Sequence, residues 1–519
     1  MKNSSVTEFD AIVIGAGISG LTAAAFLASS GARVVVCEQA AKIGGLFNSF
    51  EKNGYHFDGG IKAVVNTGIV LPMLTRLGIL DELNLQPSRT AFITGGKFHP
   101  LRDPAEIEAY FSFLSGLFPA SARGLEQVLA DINRIDVLLG ALLKFPNPFI
   151  AVQEPGRNLG SEWLRENSYA LKKSLRPMLL LNTPLQTYLE KRLPDRKLVN
   201  MINGVFPDGT STFFGLGYFH LFRDYTYPLN GIGAIPIALA SLIEENGGTI
   251  LLGTRVTEIL IKGGNAAGIR LEDGREFAAR NVLSTADARQ TFTNLIPQGS
   301  VPSSFLRKLL KARPSHSAVN VFLGVNIPVE DLNLQGCNHL FFMPDLDGII
   351  GEERLTRPDY FSHVLQEISV PCLHNPKLAP PGKTGLILSA MTSWEYAGNW
   401  GLIEGRPTPA YHELKSHISA EMIQSLESFY PDLQNRVELC ITGTPYSIWH
   451  HTENWEGAIM GWSYHQKESY NRVNFLKLPK SVETPIRGLY NAGHWAFSPG
   501  GSPIAVLTAK LAADRILKT

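Results

Sequence analysis

Ala11-Ile12-Val13-Ile14-Gly15-Ala16-Gly17-Ile18-Ser19-Gly20 is the stretch on which the reading of this chain turns. Residues 11–14 are apolar and short, as a buried parallel strand is. A Gly-x-Gly-x-x-Gly turn follows, and residues 21–30, rich in Ala and Leu, read as a helix that Gly31 stops. Residues 32–37 form a second β-branched strand with Glu38 at its end. The whole is a βαβ unit of about 30 residues with the glycines in its first strand-to-helix turn. Gly15 makes the tight turn, Gly17 lets backbone approach a pyrophosphate, and Gly20 lets helix and strand pack closely. The helix start offers free N–H groups and a positive dipole end to phosphate. Glu38 is placed to accept hydrogen bonds from an adenosine ribose, and its charge disfavours the 2′-phosphate of NADP.

Residues 39–60, QAAKIGGLFNSFEKNGYHFDGG, separate one dinucleotide from another. Ile43-Gly44-Gly45-Leu46, followed by Gly54-Tyr-His-Phe-Asp58-Gly59-Gly60, resembles the second flavin segment of the FAD-dependent amine oxidase and phytoene desaturase superfamily. Two later blocks resemble the same superfamily. Tyr227-Pro228-Leu-Asn230-Gly231 is one residue off its usual Tyr-Pro-x-Gly-Gly form. A helix over 235–246 and short strands from Thr249, Thr254, Ala267 and Asn281 follow, with hairpin turns at Gly263-Gly264 and Asp273-Gly274. The family's adenine-contacting Val falls on Val256 and its strand-end Ala on Ala286. Near the C-terminus a strand at 488–493 leads into His494-Trp-Ala-Phe-Ser-Pro-Gly500-Gly501-Ser502-Pro503 and an amphipathic helix over 504–517. Ser502 reads as its N-cap and Pro503 as its first turn. The family usually carries an acid where this chain has His494.

The resemblance implies noncovalent FAD. Its contacts are expected from Gly15, Gly17, Ile18, Ser19, Gly20, Glu38, Gly44, Gly45, Leu46, Gly59, Gly60, Val256, Ala286, Gly493, His494, Gly501, Ser502, Pro503 and Ile504. A covalent link would need Cys or His beside the ring, and His494 alone keeps it open. The implied fold class is α/β. A discontinuous Rossmann-like FAD-binding domain comes from 1–66, 227–300 and 436–519. A mixed α+β substrate domain comes from two inserts, 67–226 and 301–435. Residues 67–227 read as mostly helical, with a stripe of Leu125, Leu129, Ile132, Ile135, Leu138, Leu139 and Leu142 that suits a core face.

Composition narrows the rest. In 519 residues, 47 basic and 47 acidic side chains cancel, which argues against a nucleic-acid partner. Only 18% are charged and 44% are hydrophobic, as in a large-core globular chain. Cys37, Cys337, Cys372 and Cys440 have no C-x-x-C spacing, so no zinc or iron–sulfur site is expected and a reducing, cytoplasmic setting is. His450-His451, read in a strand, would point to opposite faces and make no metal site. No apolar run reaches about 18 residues, so no membrane span is expected.

Within the superfamily the chain is most similar to the phytoene desaturase, carotenoid isomerase and retinol saturase branch. That implies a lipophilic isoprenoid substrate and desaturation, saturation or double-bond isomerisation, with quinone or oxygen as electron acceptor. The alternatives are an amine or porphyrinogen oxidase and a non-catalytic flavin-containing lipid-binding protein. No residue stands out as general base; His494 and Asp58 are the candidates. A poorly soluble substrate suggests monotopic membrane contact. The expected patch is Phe111, Phe113, Leu114, Leu117 and Phe118, continued by Phe145 and Phe149.

Overall fold

The computed structural model describes residues 7–143, 168, 179–344, 354–355, 357–470 and 475–519. Its first sheet has seven strands in the order Thr249–Leu251, Val34–Cys37, Thr7–Ile14, Glu276–Ser284, Asn265–Leu271, Val256–Lys262, with Leu489–Asn491 also paired to Glu276–Ser284. The strands from Thr249 through Glu276 run parallel, and Leu489–Asn491 joins them in parallel, pairing Ser284 with Asn491. Val256–Lys262 and Asn265–Leu271 form an antiparallel hairpin. Three stretches far apart in sequence thus make one sheet, whose central runs 11–14, 34–37 and 281–284 are wholly buried. The helix Ile18–Ser29 covers one face, and Ala234–Glu245 and Ser502–Ile516 pack on it. Ala23, Ala24 and Ala25 are fully buried there, and their small side chains permit close packing.

The second sheet also has seven strands: Val437–Gly443, Ser317–Val325, Thr384–Thr392, Gln366–Ser369, His339–Met343, Thr90–Thr94, Lys97–Pro100. Every residue of Ser317–Val325 is buried. One face carries Val319, Val321, Leu323 and Leu388; Phe322 on the other meets Phe50 and Phe57 of the cofactor-side hairpin Ser49–Lys52/Tyr55–Asp58. That aromatic contact ties the second sheet to the segments around Asp58.

Several expectations change. Residues 67–227 are not uniformly helical: Thr90–Thr94 and Lys97–Pro100 pair around Gly95-Gly96, both at positive φ (58° and 69°). Glycine takes both such positions at no steric cost. Val437–Gly443, expected with the cofactor unit, pairs instead with Ser317–Val325. His450 and His451 lie in a helix, Pro445–Thr452, not a strand. The C-terminal helix is buried from Ile504 to Ala513 and so is not amphipathic. Phe111 and Leu114 are core residues, and Phe113 and Phe118 pack against that core; only Leu117 is exposed, at 47%. Among the described residues these side chains do not form a contiguous exposed patch, because helix Pro104–Leu117 turns them toward Ala122–Leu142. Phe145 and Phe149 lie outside the described residues. The stripe on Ala122–Leu142 is a core face, with Leu125, Ile132, Ile135 and Leu138 buried.

Candidate cofactor and active site

Gly15 sits at φ +98°, where a Cβ would lie 2.8 Å from Thr285 Oγ1. A Cβ on Gly20 would come within 1.9 Å of the Gly15 carbonyl oxygen, so helix and turn touch backbone to backbone. Gly17 differs: its φ is ordinary, −72°, and a Cβ there meets nothing within 4 Å. The turn is closed where it packs and open where a phosphate would approach. Thr285 holds it from the neighbouring strand, donating from N (3.0 Å) and Oγ1 (2.8 Å) to Ile14 O. Ala286 follows Thr285 and is half-buried beside the turn.

The Glu38 carboxylate accepts from Ala16 N at 2.7 Å and Ala40 N at 2.8 Å. It is therefore fixed to the glycine turn itself, one bond to each oxygen, with lone pairs left for a ribose hydroxyl. Thr254 N donates to Glu38 O at 2.7 Å, which brings Val256, two residues on and buried, to this end of the sheet.

The Gly44-Gly45 loop then crosses the helix start. Gly44 N donates to Ala16 O at 2.8 Å, and a Cβ on Gly45 would lie 3.3 Å from Gly17 Cα. Leu46 O accepts from Ile61 N at 3.1 Å and leaves no room for a Cβ on Gly60, just as Asn48 leaves none on Gly59. Asp58, wholly buried, is the joint of this assembly. Its Oδ1 accepts from Ser49 Oγ (2.7 Å) and Ile232 N (3.0 Å), and its Oδ2 from Tyr227 OH (2.5 Å). Gly231, at φ +89°, faces His56 Nε2 closely enough that a Cβ would overlap it at 2.3 Å. The two motifs at 54–60 and 227–231 are thus one hydrogen-bonded unit. With its oxygens so engaged, Asp58 joins these segments structurally.

At the C-terminal segment Gly493 N donates to Thr508 Oγ1 at 3.0 Å, and Ser19 Oγ donates to Ala505 O at 2.7 Å. These bonds bring the starts of helices Ile18–Ser29 and Ser502–Ile516 together. The N-cap of the latter is Gly501, φ +104°, not Ser502; Ser502 and Pro503 occupy its first turn and Ile504 is buried. His494 lies against Trp495, its carbonyl pressed on Gly461, and burial pushes its imidazole down to about 4, so it is neutral at pH 7.

A flavin dinucleotide fits this arrangement. Both helices begin at a glycine, neither is capped by a side chain, and a Cβ on Gly17 or Gly501 meets nothing within 4 Å. Uncapped N–H groups at two adjacent helix starts favour anionic groups, a pyrophosphate at one and the electron-rich pyrimidine edge of a reduced flavin at the other. Of the predicted positions, Gly15 through Gly20, Gly44 through Leu46, Gly59, Gly60, Gly493 and Gly501 converge through the contacts described; Glu38 and Val256 mark the far end.

Lys62 escaped the sequence reading. It is 4% exposed, and its Nζ donates to Gly60 O at 2.7 Å and Asn320 Oδ1 at 3.3 Å. Burial pushes the amine down to about 8. The signal was a lysine inside Ile61-Lys-Ala-Val-Val65, where an apolar stretch has no reason to hold one unless it is partnered. Among the described residues no group of three His, Cys, Asp or Glu side chains could hold a metal ion.

Residues 18–517 match the profile of a family described as flavin containing amine oxidoreductase. Prolycopene isomerase 1, chloroplastic, of an Oncidium hybrid cultivar is 29% identical over 530 residues, covering 97% of this chain and 83% of the relative. All-trans-retinol 13,14-reductase of Homo sapiens is 25% identical over 530 residues, covering 96% and 84%. A solved oxidoreductase from Methanosarcina mazei superposes over 99% of this chain and 100% of its own, with a TM-score of 0.61 and 17% identity, a likeness of fold.

Proposed function

This chain belongs to the flavin containing amine oxidoreductase family, and from that premise we propose an enzyme that holds FAD without a covalent link and acts on a long apolar isoprenoid. The observation that carries the substrate class is similarity over 95% or more of the chain to a prolycopene isomerase and a retinol reductase. The reaction class is desaturation, saturation or double-bond isomerisation. The cofactor unit is built from 1–66, 227–300 and the C-terminal segment after Gly443; the second sheet and the helices of 67–226 form the substrate side.

Gly15, Gly17, Ile18, Ser19 and Gly20 receive the pyrophosphate, Glu38 the ribose and Val256 the adenine. Gly44, Gly45, Leu46, Gly59 and Gly60 line the flavin's path, and Ala286, Gly493, His494 and Gly501 through Ile504 its other side. Bound there, the flavin supplies reversible two-electron hydride exchange. The chain's part is to hold a C–H bond of the substrate near that centre and to exclude water. Neutral His494 and fully buried Trp462 and Trp495, the latter joined by a 2.7 Å bond from Trp462 Nε1 to Trp495 O, keep that end dry. His494 offers no charge for an ionic partner. Cys37, Cys337 and Cys372 are buried and Cys440 lies on the second sheet.

No helix among the described residues is long and apolar enough to cross a membrane. We place the source of the substrate at a bilayer surface and the electron acceptor among quinones or oxygen. Anaerobic photoreduction followed by mixing with a polyene, a quinone, an amine or air tests the reading. Polyene conversion, with no amine turnover, supports it; amine oxidation with the polyene untouched overturns it.

A further inference from the structure

The face of the second sheet under the Asp58–Lys62 segment carries a row of directly opposed residues from four neighbouring strands: Asn320, Ser389, Glu367 and Phe341. Opposed residues share a face of the sheet. Ser389 Oγ donates to Asn320 Oδ1 at 2.6 Å, and the same oxygen accepts from Lys62 Nζ. Lys62 also reaches Asp58 O at 3.4 Å, so one ammonium links the expected flavin loop to the sheet. Glu367 is next in the row. His339, one step away on the same face, places Nε2 2.8 Å from Glu367 Oε1. Tyr218 and Tyr225 are the other titratable neighbours that interact with Glu367.

Lys62 and His339 are almost wholly buried, yet Glu367 keeps 35% of its side-chain surface open. That open surface is what a substrate atom would reach. A carboxylate in an apolar interior is costly unless partnered. Burial acts to raise Glu367, but the adjacent imidazole and the lysine outweigh it and hold the carboxyl below its ordinary value.

We propose that Glu367 is the group that exchanges a proton with the carbon skeleton of the substrate, with Lys62 and His339 as positioning residues. This rests on the isoprenoid reading above. In the oxidative direction a flavin bound beside this face would supply the two-electron oxidation by accepting the hydride of an allylic C–H, and a delocalised cation would remain on the polyene. The Glu367 carboxylate stabilises that cation and takes the proton from the neighbouring carbon. The C–H electron pair becomes the new C=C bond, and an O–H forms on Glu367. Saturation is the reverse, with Glu367 returning the proton. Return of the proton at a different carbon, followed by return of the hydride, would move a double bond with no net change of oxidation state.

The test compares wild type with Glu367→Gln and Glu367→Asp at equal flavin occupancy. Flavin affinity and polyene binding are read from flavin fluorescence, turnover by chromatography, and deuterium uptake into the product from D2O by mass spectrometry. Glu367→Gln should bind flavin and polyene within about threefold of wild type, lose kcat by at least ~100-fold and lose deuterium uptake. Glu367→Asp should recover part of both. Lys62→Met should lower kcat with KM little changed, and Lys62→Arg should restore most of it. Wild-type levels of turnover and exchange in Glu367→Gln overturn the assignment alone. Loss of flavin in both Glu367 variants would make the residue structural and overturn it too. A wild-type enzyme that converts no polyene in either direction overturns the isoprenoid reading and the assignment with it.

Discussion

Gly17 and Gly20 are three residues apart in one turn, yet the structure predicts opposite consequences for replacing each with Ala. At Gly17 the backbone (φ −72°, ψ 176°) suits any residue, and the added Cβ meets nothing within 4 Å. Flavin-free Gly17→Ala should therefore keep its stability or gain up to ~1 kcal/mol, since Ala restricts the unfolded chain. The same methyl stands where the pyrophosphate must approach the helix start. The Kd for FAD should rise at least ~100-fold, about 3 kcal/mol. At Gly20 the Cβ would lie 1.9 Å from Gly15 O and 3.0 Å from Gly15 C. Those are backbone atoms and cannot rotate away, so the helix must lift off the strand at a cost of about 1–3 kcal/mol with or without flavin. Urea unfolding of the flavin-free variants measures the first effect, and titration of FAD fluorescence the second. If Gly17→Ala lost as much flavin-free stability as Gly20→Ala, or bound FAD like wild type, the division of the turn into a packed end and an open end would be wrong.

Tyr227→Phe removes the hydroxyl that donates to Asp58 Oδ2 inside the core and should cost ~1.5–3 kcal/mol in urea unfolding; an unchanged midpoint would separate the two motifs that bond joins. Burial pushes the Asp287 carboxyl up to about 6 against backbone N–H bonds from Trp455, Arg289 and Gln290. The folded state therefore holds this proton more tightly than the unfolded one, where the group titrates near 3.8. Its stabilising contribution is complete below about pH 4, falls as pH rises to about 6 and is flat above, and Asp287→Asn should remove that slope from the pH dependence of unfolding. The flavin-loaded protein should float with liposomes, and Leu117→Asp should weaken flotation with flavin still bound; a wild-type protein that stays in the supernatant refutes the bilayer contact.

The cofactor unit was legible because backbone chemistry writes it locally. A turn such as Gly15–Gly20 needs glycine for steric reasons, and a short β-branched run such as Val34–Cys37 has nowhere to go but a buried sheet. The hairpin Thr90–Thr94/Lys97–Pro100 was equally local, with Gly95-Gly96 at its turn, but its helical flanks hid it. Val437–Gly443 was misplaced for another reason. Its strand alternates exposed and half-buried residues, and its partner, Ser317–Val325, lies more than 100 residues away. Ser502 was read as a cap because its residue type favours that position, whereas the chain uses the positive φ of Gly501. Phe111 and Leu114 look the same in sequence whether they face core or solvent. Lys62, Asn320, Ser389 and Glu367 come from four separate segments, and only the sheet register brings them together.

On the proposed function, this fold couples a flavin to carbon chemistry on a long polyene. The most direct measurement is an anaerobic incubation of the FAD-loaded enzyme, in oxidised and photoreduced forms, with a poly-cis carotene and with a retinoid alcohol. Products are separated by chromatography while the flavin spectrum is followed. The expected result is an isomerised, saturated or desaturated polyene, formed with one flavin state and not the other, and loss of that product in Gly17→Ala. Unchanged polyenes with both flavin states, beside rapid flavin reduction by an amine, would contradict it.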